Sequence, residues 1–452
     1  MPSSCQGSAV FAYTGQQRGG GVRFRCMKKK LVIIGGGFGG LALAGKVDKK
    51  IWDVTIVDRH NYHSFPPLFY QVASSGLEPS NISFPIRREL RTRRYRGCSF
   101  HMGDVKMVDA GRREVHTQYE TIPYDALVLA AGTTNNFFSN PDLVKHVFTI
   151  KSTPEAIRCR NEMLDRLERA SICTDVAQRA RLLTFVVVGG GPAGVEIAGA
   201  LGEVKRYILK REYPSIRPEE MRVIIVEGTD ALLRAMGPKS SADAVKGLGE
   251  LCVEVQLGKT MKSYEDRKVT LSDGTEIYSD TVIWTAGVIG SPIMFENTDV
   301  APAHAGRFAV DGYCRVEGAD GIYAIGDIAL MTTGKYPQGH PQVAQAALQM
   351  GASLAYNLSH PESPRPFVYR DKGSMATIGR NRAVVDIGRI HLSGYTAWLA
   401  WLFIHLISLL GVRNRLMVFI NWMWSYFTYT GGLRILMRPG RFPYRRCWDD
   451  ES

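Results

Sequence analysis

The chain has 452 residues, of which 45% are hydrophobic and 22% are charged. That composition is too apolar for a disordered protein, and the length is too great for one hydrophobic core, so two or three domains are expected. Lys and Arg outnumber Asp and Glu by 56 to 43, for a net charge of +13. Arginines concentrate at 87–96 and at 434–446. The second group adjoins an apolar segment, which favours a membrane surface over nucleic acid, whereas the first is most simply a solvated basic helix.

Residues 1–26 contain no acidic residue, are rich in Gly and Ser, and lack an apolar run long enough for a secretory signal. We therefore expect this extension to lie outside the fold. It is interpreted either as a short transit peptide or as the product of a misassigned start. The second interpretation is favoured because Met27 directly precedes the first predicted strand.

A short apolar run rich in β-branched residues begins at Leu31 and predicts a buried parallel strand. A glycine-rich turn and an apolar helix start follow it at once. Gly35 permits the tight turn, Gly37 lets the backbone approach a pyrophosphate, and Gly40 lets the helix touch the strand. The next strand ends in Asp58, whose carboxylate is placed to accept hydrogen bonds from an adenosine ribose. Together these features are the fingerprint of a dinucleotide-binding domain.

The same pattern returns at 185–194, where an apolar strand precedes the run GGGPAG. The strand 222–226 then ends in Glu227, which lies further from its glycines than the usual spacing of about 20 residues. A long charged helix and a loop account for the extra length. An acid at this strand end repels a 2′-phosphate, and no arginine closely follows it, so NADH is expected rather than NADPH. One glycine-rich turn can serve packing alone, but two complete fingerprints are specific.

Three shorter segments resemble parts of a known fold. The segment 322–327 ends in Gly326 and Asp327 and resembles the motif of FAD enzymes with the glutathione-reductase-like fold, in which the aspartate binds the flavin ribityl and phosphate region. Segments 128–133 and 283–287 look like the strand ends where the chain leaves and re-enters the FAD domain of that fold. The resemblance implies FAD in the first site and NADH in the second.

The implied fold is α/β, with two Rossmann-like dinucleotide-binding domains and a C-terminal amphipathic helical segment. The implied FAD-binding domain comprises 27–150 and 284–350, with the NADH-binding domain 151–283 inserted and a C-terminal domain at 351–452. The implied FAD contacts are Gly35, Gly37, Phe38, Gly39, Gly40, Asp58, Ala131, Gly132, Thr133, Gly326, Asp327 and Gln345. The implied NADH contacts are Gly189, Gly191, Pro192, Ala193, Gly194, Glu196, Glu227, Ala286 and Gly287.

The segment AQAALQ at 344–349 matches the A-Q-x-A-x-Q motif of type II NADH:quinone oxidoreductases, single-chain respiratory dehydrogenases that do not pump protons. Segments 61–73 and 372–380 look like other parts of this family, and the resemblance runs from about residue 30 to about residue 438. It implies hydride transfer from NADH to FAD and transfer of two electrons to a membrane quinone, either ubiquinone or menaquinone.

A helix is predicted to open at Pro341 and to carry Gln345 and Gln349 on one face. Small alanines keep that face thin, and the two amides can donate to a quinone carbonyl but cannot supply a proton. We therefore predict that this face is the quinone side of the site, beside the flavin. The simpler interpretation is an alanine-rich helix with two solvent-facing glutamines.

Two charged residues are assigned by the resemblance. Glu196 matches the family glutamate near the nicotinamide and the flavin edge, and our hypothesis is that it positions NADH and relays protons; a carboxylate stabilised by the helix dipole is the alternative. Lys372 matches a lysine close to the flavin, where a cation stabilises charge on the reduced ring. No metal site and no essential general base are predicted.

The uncharged stretch 395–412 has 18 residues, the lower limit for spanning a bilayer, and a second stretch follows at 416–429. Four of the seven tryptophans lie between 398 and 424, with arginines between and after the two stretches. This pattern suits a helix pair lying in the headgroup region, and we predict membrane-anchoring helices at about 395–438. A buried hairpin or a dimer interface is the alternative, and a homodimer is expected.

The eight cysteines are scattered without a C-x-x-C pair, which indicates reduced thiols. A sulfide:quinone oxidoreductase needs cysteines on both sides of the flavin, yet Cys447 is the only cysteine after Asp327. A flavoprotein that signals the NADH level through its folded or dimeric state, like the apoptosis-inducing factors, leaves the glutamine face unexplained. We expect the cytoplasmic face of a bacterial inner membrane, or the mitochondrial inner membrane if 1–26 is a transit peptide.

Overall fold

The computed structural model describes residues 27–138, 140, 142–428 and 434–436. The predicted extension 1–26 and the basic residues from 438 onward lie outside the described residues. The helices are α1 (Phe38–Ala44), α2 (Phe69–Ala73), α3 (Pro79–Ile82), α4 (Ile86–Glu89), α5 (Leu143–His146), α6 (Thr153–Ile172), α7 (Val176–Leu182), α8 (Pro192–Glu203), α9 (Leu209–Glu212), α10 (Pro238–Glu250), α11 (Ala344–Ser359), α12 (Gly394–Ser408) and α13 (Val412–Thr428).

The strands form several sheets. They are β1 (Lys29–Ile34), β2 (Trp52–Asp58), β3 (Tyr62–Ser64), β4 (Ser83–Pro85), β5 (Cys98–Met102), β6 (Val105–Asp109), β7 (Glu114–Thr117), β8 (Thr121–Pro123), β9 (Ala126–Leu129), β10 (Thr133–Asn135), β11 (Phe148–Thr149), β12 (Thr184–Val188), β13 (Arg222–Glu227), β14 (Val253–Leu257), β15 (Met261–Glu265), β16 (Lys268–Leu271), β17 (Glu276–Tyr278), β18 (Thr281–Trp284), β19 (Val288–Gly290), β20 (Phe295–Glu296), β21 (Phe308–Ala309), β22 (Ile322–Ala324), β23 (Ala329–Leu330), β24 (Ser374–Thr377), β25 (Ala383–Ile387) and β26 (Ile390–Ser393).

The first large sheet is parallel, with the strand order β22-β9-β1-β2-β5. Ile33 of β1 lies between Ile56 of β2 and Val128 of β9, and all three side chains are fully buried. Because both faces of this sheet are covered, β1 is continuously apolar from Leu31 to Ile34 instead of alternating. The strand, turn and helix of the first fingerprint are therefore present, as β1, the glycine turn and α1.

The second large sheet is also parallel, with the order β11-β18-β12-β13-β14. Val186 of β12 lies between Ile224 of β13 and Val282 of β18. Strand β22 of the first sheet follows the last strand of the second, so the second unit lies within the first along the chain. Its strands run from Phe148 to Trp284 and extend slightly beyond the predicted 151–283 domain at both ends. The α/β class with two dinucleotide-binding units is confirmed.

The C-terminal sheet β24-β25-β26 is antiparallel and packs against helix α8 of the second unit. Gly199, in the middle of α8, faces Gly379, just after β24. A Cβ atom added to Gly199 would lie 2.9 Å from the backbone nitrogen of Gly379. The helix backbone and the loop backbone are therefore in direct contact, and a side chain at this position would push them apart.

Helices α12 and α13 form the predicted C-terminal pair. Trp401 of α12 is buried, with 1% of its surface exposed. The outer faces of both helices are apolar nonetheless, and no helix in the described part of the chain is long and apolar enough to cross a membrane. Large apolar side chains are exposed at Leu399, Phe403, Ile407, Leu416, Ile420, Trp424 and Phe427.

The start of helix α11 differs from its prediction. The helix begins at Ala344 and not at Pro341, and Val343 before it is extended, with φ −132° and ψ 152°. The side-chain amide of Gln342 donates to the carbonyl oxygen of Asp327 at 3.1 Å. This bond holds the preceding segment against the FAD-binding unit, which explains the later start.

One buried amide fixes the beginning of α13 to the FAD-binding unit. The side-chain nitrogen of Asn414 donates to the carbonyl oxygens of Ser80 and Asn81, both at 3.1 Å. Asn414 is 8% exposed, so water does not readily replace these bonds.

Replacing Asn414 by alanine leaves two carbonyl groups without their donor. We expect Asn414→Ala to lower the free energy of unfolding by about 1–3 kcal/mol, measured by thermal or denaturant unfolding. The matched control is Arg413→Ala, because Arg413 is the exposed neighbour on the same helix turn; a change below about 0.5 kcal/mol is expected there. Equal losses in both variants would contradict the role given to Asn414.

Candidate active site

The turn after β1 can be built only with glycine. Gly35 has φ +112°, and a Cβ atom on it would lie 2.3 Å from the carbonyl oxygen of Ala130. A Cβ atom on Gly40 would lie 2.0 Å from the carbonyl oxygen of Gly35, so α1 starts in contact with the turn. The space beside Gly37 is open, with no atom within 4 Å of where its Cβ would stand. These glycines form a first cradle with room for a phosphate group.

Asp58 lies at the end of β2 and holds this turn. Its carboxylate accepts hydrogen bonds from the backbone N–H groups of Gly36, at 2.7 Å, and His60, at 2.8 Å. Burial raises the pKa of Asp58, and these two N–H groups oppose that shift. Sequence reasoning missed His63, whose Nδ1 donates to the carbonyl oxygen of Gly36 at 2.9 Å. Burial lowers the pKa of His63 to about 4, so the ring is neutral.

Asp327 lies on the other side of the first cradle, in the short helical turn after β22. It accepts a hydrogen bond from the hydroxyl of Thr133 at 3.4 Å. Burial raises the pKa of Asp327, whereas the positive charges of Lys151 and Arg307 oppose the shift. Lys151 was missed because it stands in the segment between the two units, where no sequence motif marks it.

The glycine turn after β12, from Gly189 to Gly194, forms a second cradle with the same geometry as the first. Gly189 has φ +110°, and a Cβ atom on Gly194 would lie 1.8 Å from the Gly189 carbonyl oxygen. Glu227 at the end of β13 accepts hydrogen bonds from the backbone N–H groups of Gly190, at 2.6 Å, and Thr229, at 2.8 Å. The space beside Gly191 is open. Despite its longer spacing, Glu227 therefore lies where Asp58 lies in the first unit.

The predicted strand ends also meet the cradles. Gly132 has φ +67° and open space beside it, near the first cradle, and Thr133 contacts Asp327. A Cβ atom on Gly189 would lie 2.8 Å from the backbone nitrogen of Ala286, so the 284–287 segment borders the second cradle. The predicted contacts Pro192 and Ala193 begin α8 and are exposed there.

Gln345 and Gln349 are fully engaged with the segment 370–373. The Gln349 amide donates to the carbonyl oxygen of Arg370 at 2.9 Å and accepts from its N–H at 3.0 Å. The Gln345 amide donates to the carbonyl oxygen of Gly373 at 3.0 Å and accepts from the N–H of Lys372 at 2.9 Å. The two glutamines thus hold the segment that carries Lys372, whose side chain is exposed.

Glu196 is buried between α8, β24 and α12, with 7% of its surface exposed. Burial raises the pKa of its carboxyl well above the ordinary value, while the backbone N–H of Thr377 and the indole of Trp401 oppose the shift. Glu196 lies in the second turn of its helix, so a carboxylate held at a helix end does not describe it. Its side chain lies where the NADH-binding unit contacts strand β24 and helix α12.

An apolar cavity of about 550 Å³ lies between α8, α2 and the helix pair α12 and α13. Neither Gln345 nor Gln349 lines it. Sequence reasoning missed this cavity because its walls come from segments that are distant along the chain. Its aromatic walls include Tyr70, Tyr395, Trp398, Trp401, Trp422 and Tyr426.

A hydrogen-bond chain crosses one wall of this cavity. The indole N–H of Trp422 donates to Gln71 Oε1 at 2.8 Å, and Gln71 Nε2 donates to Tyr70 Oη at 2.9 Å. The hydroxyls of Tyr70 and Thr377 lie 3.0 Å apart. The chain connects α13 to the strand whose Thr377 N–H reaches Glu196.

Comparison with known proteins agrees with this geometry. Residues 29–351 match the pyridine nucleotide-disulphide oxidoreductase family, and residues 372–429 match the NDH2 C-terminal domain. The chain is 35% identical to the type II NADH:quinone oxidoreductase NdhA of Mycobacterium tuberculosis, over 88% of this chain and 87% of that protein. The chain belongs to the type II NADH:quinone oxidoreductase family. An internal alternative NAD(P)H-ubiquinone oxidoreductase of Arabidopsis thaliana is 30% identical over 88% of this chain and 84% of its own.

Solved structures show the same fold as this type II oxidoreductase. NDH2 of Plasmodium falciparum, in complex with NADH, superposes with a TM-score of 0.84 at 20% identity and covers 91% of this chain and 100% of its own. The sulfide:quinone oxidoreductase of Aquifex aeolicus gives a TM-score of 0.68 at 18% identity, covering 89% of this chain and 96% of its own. At these identities the likeness is one of fold.

FAD is the cofactor of this family, and the residues of the first cradle fit it. The open space at Gly37 and Gly132 admits a diphosphate and ribityl chain close to the backbone. Asp58 would accept hydrogen bonds from the adenosine ribose, and Asp327 lies at the same carboxyl edge of the parallel sheet, just after β22. Lys151 and Arg307 supply positive charge beside Asp327.

The glutamine pair can be tested by Gln345→Ala combined with Gln349→Ala. The two changes release segment 370–373 from its hydrogen bonds, at a cost of about 1–3 kcal/mol in local stability. We expect faster limited proteolysis at 370–373 and slower reoxidation of the flavin by quinone, with reduction by NADH nearly unchanged. The control is Gln178→Ala, on α7 of the NADH-binding unit. Slow quinone reaction with unaltered proteolysis would indicate direct quinone contact instead.

Proposed function

We propose that this chain oxidises NADH and reduces a membrane quinone, with FAD held in the first cradle. The observation that carries the proposal is the apolar cavity at the C-terminal end of α8, the helix that begins at the second cradle, because an apolar pocket with few polar groups suits a quinone headgroup. When bound, FAD supplies hydride acceptance from NADH and transfer of the two electrons to quinone.

The second cradle is proposed to bind NADH. The open side of Gly191 and the N–H groups at the start of α8 suit its diphosphate. Glu227 is proposed to accept hydrogen bonds from the adenosine ribose, and its charge disfavours a 2′-phosphate. Glu196, on the same helix, joins the nicotinamide side to the cavity wall.

The cavity is proposed to receive the quinone headgroup. Its aromatic walls favour stacking with a planar ring. Tyr70 and Gln71 offer polar groups on one wall, and their hydrogen-bond chain fixes their orientation. Gln345 and Gln349 contribute by positioning the segment that carries Lys372. The sequence and the geometry fit ubiquinone and menaquinone alike.

The outer faces of α12 and α13 are proposed to lie on a lipid surface. Both helices expose large apolar side chains although neither is long enough to cross a bilayer. The quinone is dissolved in the same lipid, so docking brings the cavity to its substrate. We expect the helix pair to dock on the side of the membrane where NADH is present. In a bacterium this is the cytoplasmic side. The homodimer stays a prediction.

Two rivals are less well supported. A sulfide:quinone oxidoreductase needs a cysteine pair at the flavin, and Cys447, the only cysteine after Asp327, lies outside the described residues. A flavoprotein that only senses NADH leaves the cavity of 550 Å³ without a purpose.

The proposed function can be tested in two separate half-reactions. We expect NADH to bleach the flavin absorbance in anaerobic stopped flow, and a short-chain quinone to restore it. Ala200 lines the cavity one helix turn before Glu203, so Ala200→Leu narrows the cavity and should raise the quinone KM by about tenfold or more, while the NADH half-reaction in the same variant serves as the control. Bleaching without recovery on quinone would overturn the assigned acceptor and favour NADH sensing.

Membrane docking can be tested with Ile420→Glu combined with Trp424→Glu. Both side chains are exposed and neither lines the cavity. We expect the fraction that co-sediments with anionic phospholipid vesicles to fall by about tenfold or more, because each lost apolar contact weakens binding. Reduction of a water-soluble quinone should persist. Val176→Glu, at an equally apolar but separate exposed site, is the control, and equal losses in both variants would contradict docking through the helix pair.

A further inference from the structure

Glu203 is the carboxyl group that faces the cavity. It ends α8 seven residues after Glu196, so the two side chains share one face of the helix and lie about 10 Å apart along its axis. Glu203 lines the cavity, whereas Glu196 stands behind the wall. A π-helical turn, Val204–Ile208, follows immediately. Such turns are often found at functional sites.

The surroundings of Glu203 allow its carboxyl to hold and lose a proton. The backbone N–H of Arg380 donates to Glu203 Oε1. Gly379, with φ +74°, keeps the loop close, since a Cβ atom on it would lie 3.2 Å from the same oxygen. Burial raises the pKa of the Glu203 carboxyl, and the N–H and the positive charge of Arg380 oppose the shift. Burial therefore favours the protonated carboxyl, and Arg380 favours the carboxylate.

The guanidinium of Arg380 is held by α13. It donates to the carbonyl oxygens of Tyr426, at 3.2 Å, and Ser425, at 2.9 Å. These bonds fix Arg380 at the cavity wall, where its charge acts on Glu203. A positive charge in that position stabilises the carboxylate that remains after Glu203 gives up a proton.

The reaction requires a proton that NADH does not bring. Quinone becomes quinol by taking up two electrons and two protons, while oxidation of NADH releases two electrons and one proton. One proton must therefore come from water. The amides of Gln345 and Gln349 cannot supply it, and they do not line the cavity.

We propose that Glu203 is a catalytic acid that protonates the quinone in the cavity, a role that rests on the proposed function. The O–H bond of the Glu203 carboxyl breaks as an O–H bond forms on a quinone carbonyl oxygen, and the electron pair stays on the carboxylate. The two electrons and the second proton of the quinol come from the oxidation of NADH. One proton taken up from the bulk solvent, carried by water that enters the cavity, then restores the Glu203 carboxyl.

The pH dependence of this step involves several groups around the cavity. Arg380 faces Glu203 from the loop after β24, and Tyr70 faces both Glu203 and Glu196 from α2. Tyr395 of α12 and Tyr426 of α13 line the same space. Among these groups the two carboxyls have the lowest ordinary pKa values, so they lose their protons before the tyrosines and Arg380 do as the pH rises. The rate of quinone reduction is therefore expected to fall as Glu203 loses its proton.

The test is Glu203→Gln in the FAD-loaded enzyme. We expect reduction of the flavin by NADH to be unchanged and reoxidation by a short-chain ubiquinone to slow by about 100-fold, since general acid catalysis contributes about 10²–10⁴-fold. Reoxidation by ferricyanide, which accepts electrons without protons, should keep the wild-type rate. The limb of the quinone pH profile assigned to Glu203 should disappear. Glu203→Asp, which retains an acid, should recover part of the rate.

Several outcomes would overturn the proposal. Unchanged quinone reoxidation in Glu203→Gln would remove Glu203 from the reaction, and equal slowing with quinone and ferricyanide would show a structural role. If the glutamine variant loses FAD, Glu203→Asp carries the same comparison of acceptors. Glu254→Gln, which removes an exposed carboxylate paired with Arg222, is the matched control and should behave as wild type. Failure of wild-type enzyme to react with quinone would instead reject the proposed function itself.

Discussion

The close packing of helix α8 is the constraint on which both halves of the site depend. Gly194 at its start touches the turn of the second cradle, and Gly199 in its middle touches the loop after β24. Each contact is possible only because a side chain is absent, since a Cβ atom would stand 1.8 Å or 2.9 Å from a backbone atom. One rigid helix therefore begins at the NADH cradle and ends at the cavity. The helix holds its two carboxyl groups, Glu196 and Glu203, at fixed positions relative to the NADH cradle and the cavity.

Burial affects the pKa of four carboxyl groups at the site. Burial raises the pKa of Asp58, Asp327, Glu196 and Glu203 alike. Different partners oppose each shift: backbone N–H groups at Asp58, two cations at Asp327, Thr377 and Trp401 at Glu196, and Arg380 at Glu203. A carboxyl that binds a ribose needs to stay ionised, whereas one that delivers a proton needs access to both states. In the proposed mechanism, Asp58 and Asp327 are the binding carboxyls and Glu203 is the one that transfers a proton.

The sequence predicted those features whose signals are local. Strand, glycine turn, helix and acid occupy neighbouring stretches of chain in each fingerprint, so Gly35 and Glu227 could be assigned before any geometry was known. The cavity could not, because its walls join α2, α8, the loop after β24 and two terminal helices. The partners of Gln345 and Gln349 were hidden for the same reason: the segment 370–373 is more than 20 residues away. The start of α11 was wrong by three residues because the Gln342 side chain, and not Pro341, decides the local backbone.

The helix pair that is proposed to dock on lipid also forms walls of the cavity. Its inner side supplies Trp401 and Trp422 to the cavity, and its outer side exposes Ile420 and Trp424. Arg380 bonds to the last turn of α13, and Asn414 fixes its first turn to the FAD-binding unit. A shift of α13 on the lipid would therefore move the cation that faces Glu203 and the amide chain that reaches Tyr70. Under the proposed function, this one helix contacts both the lipid and the groups that surround the proposed proton donor.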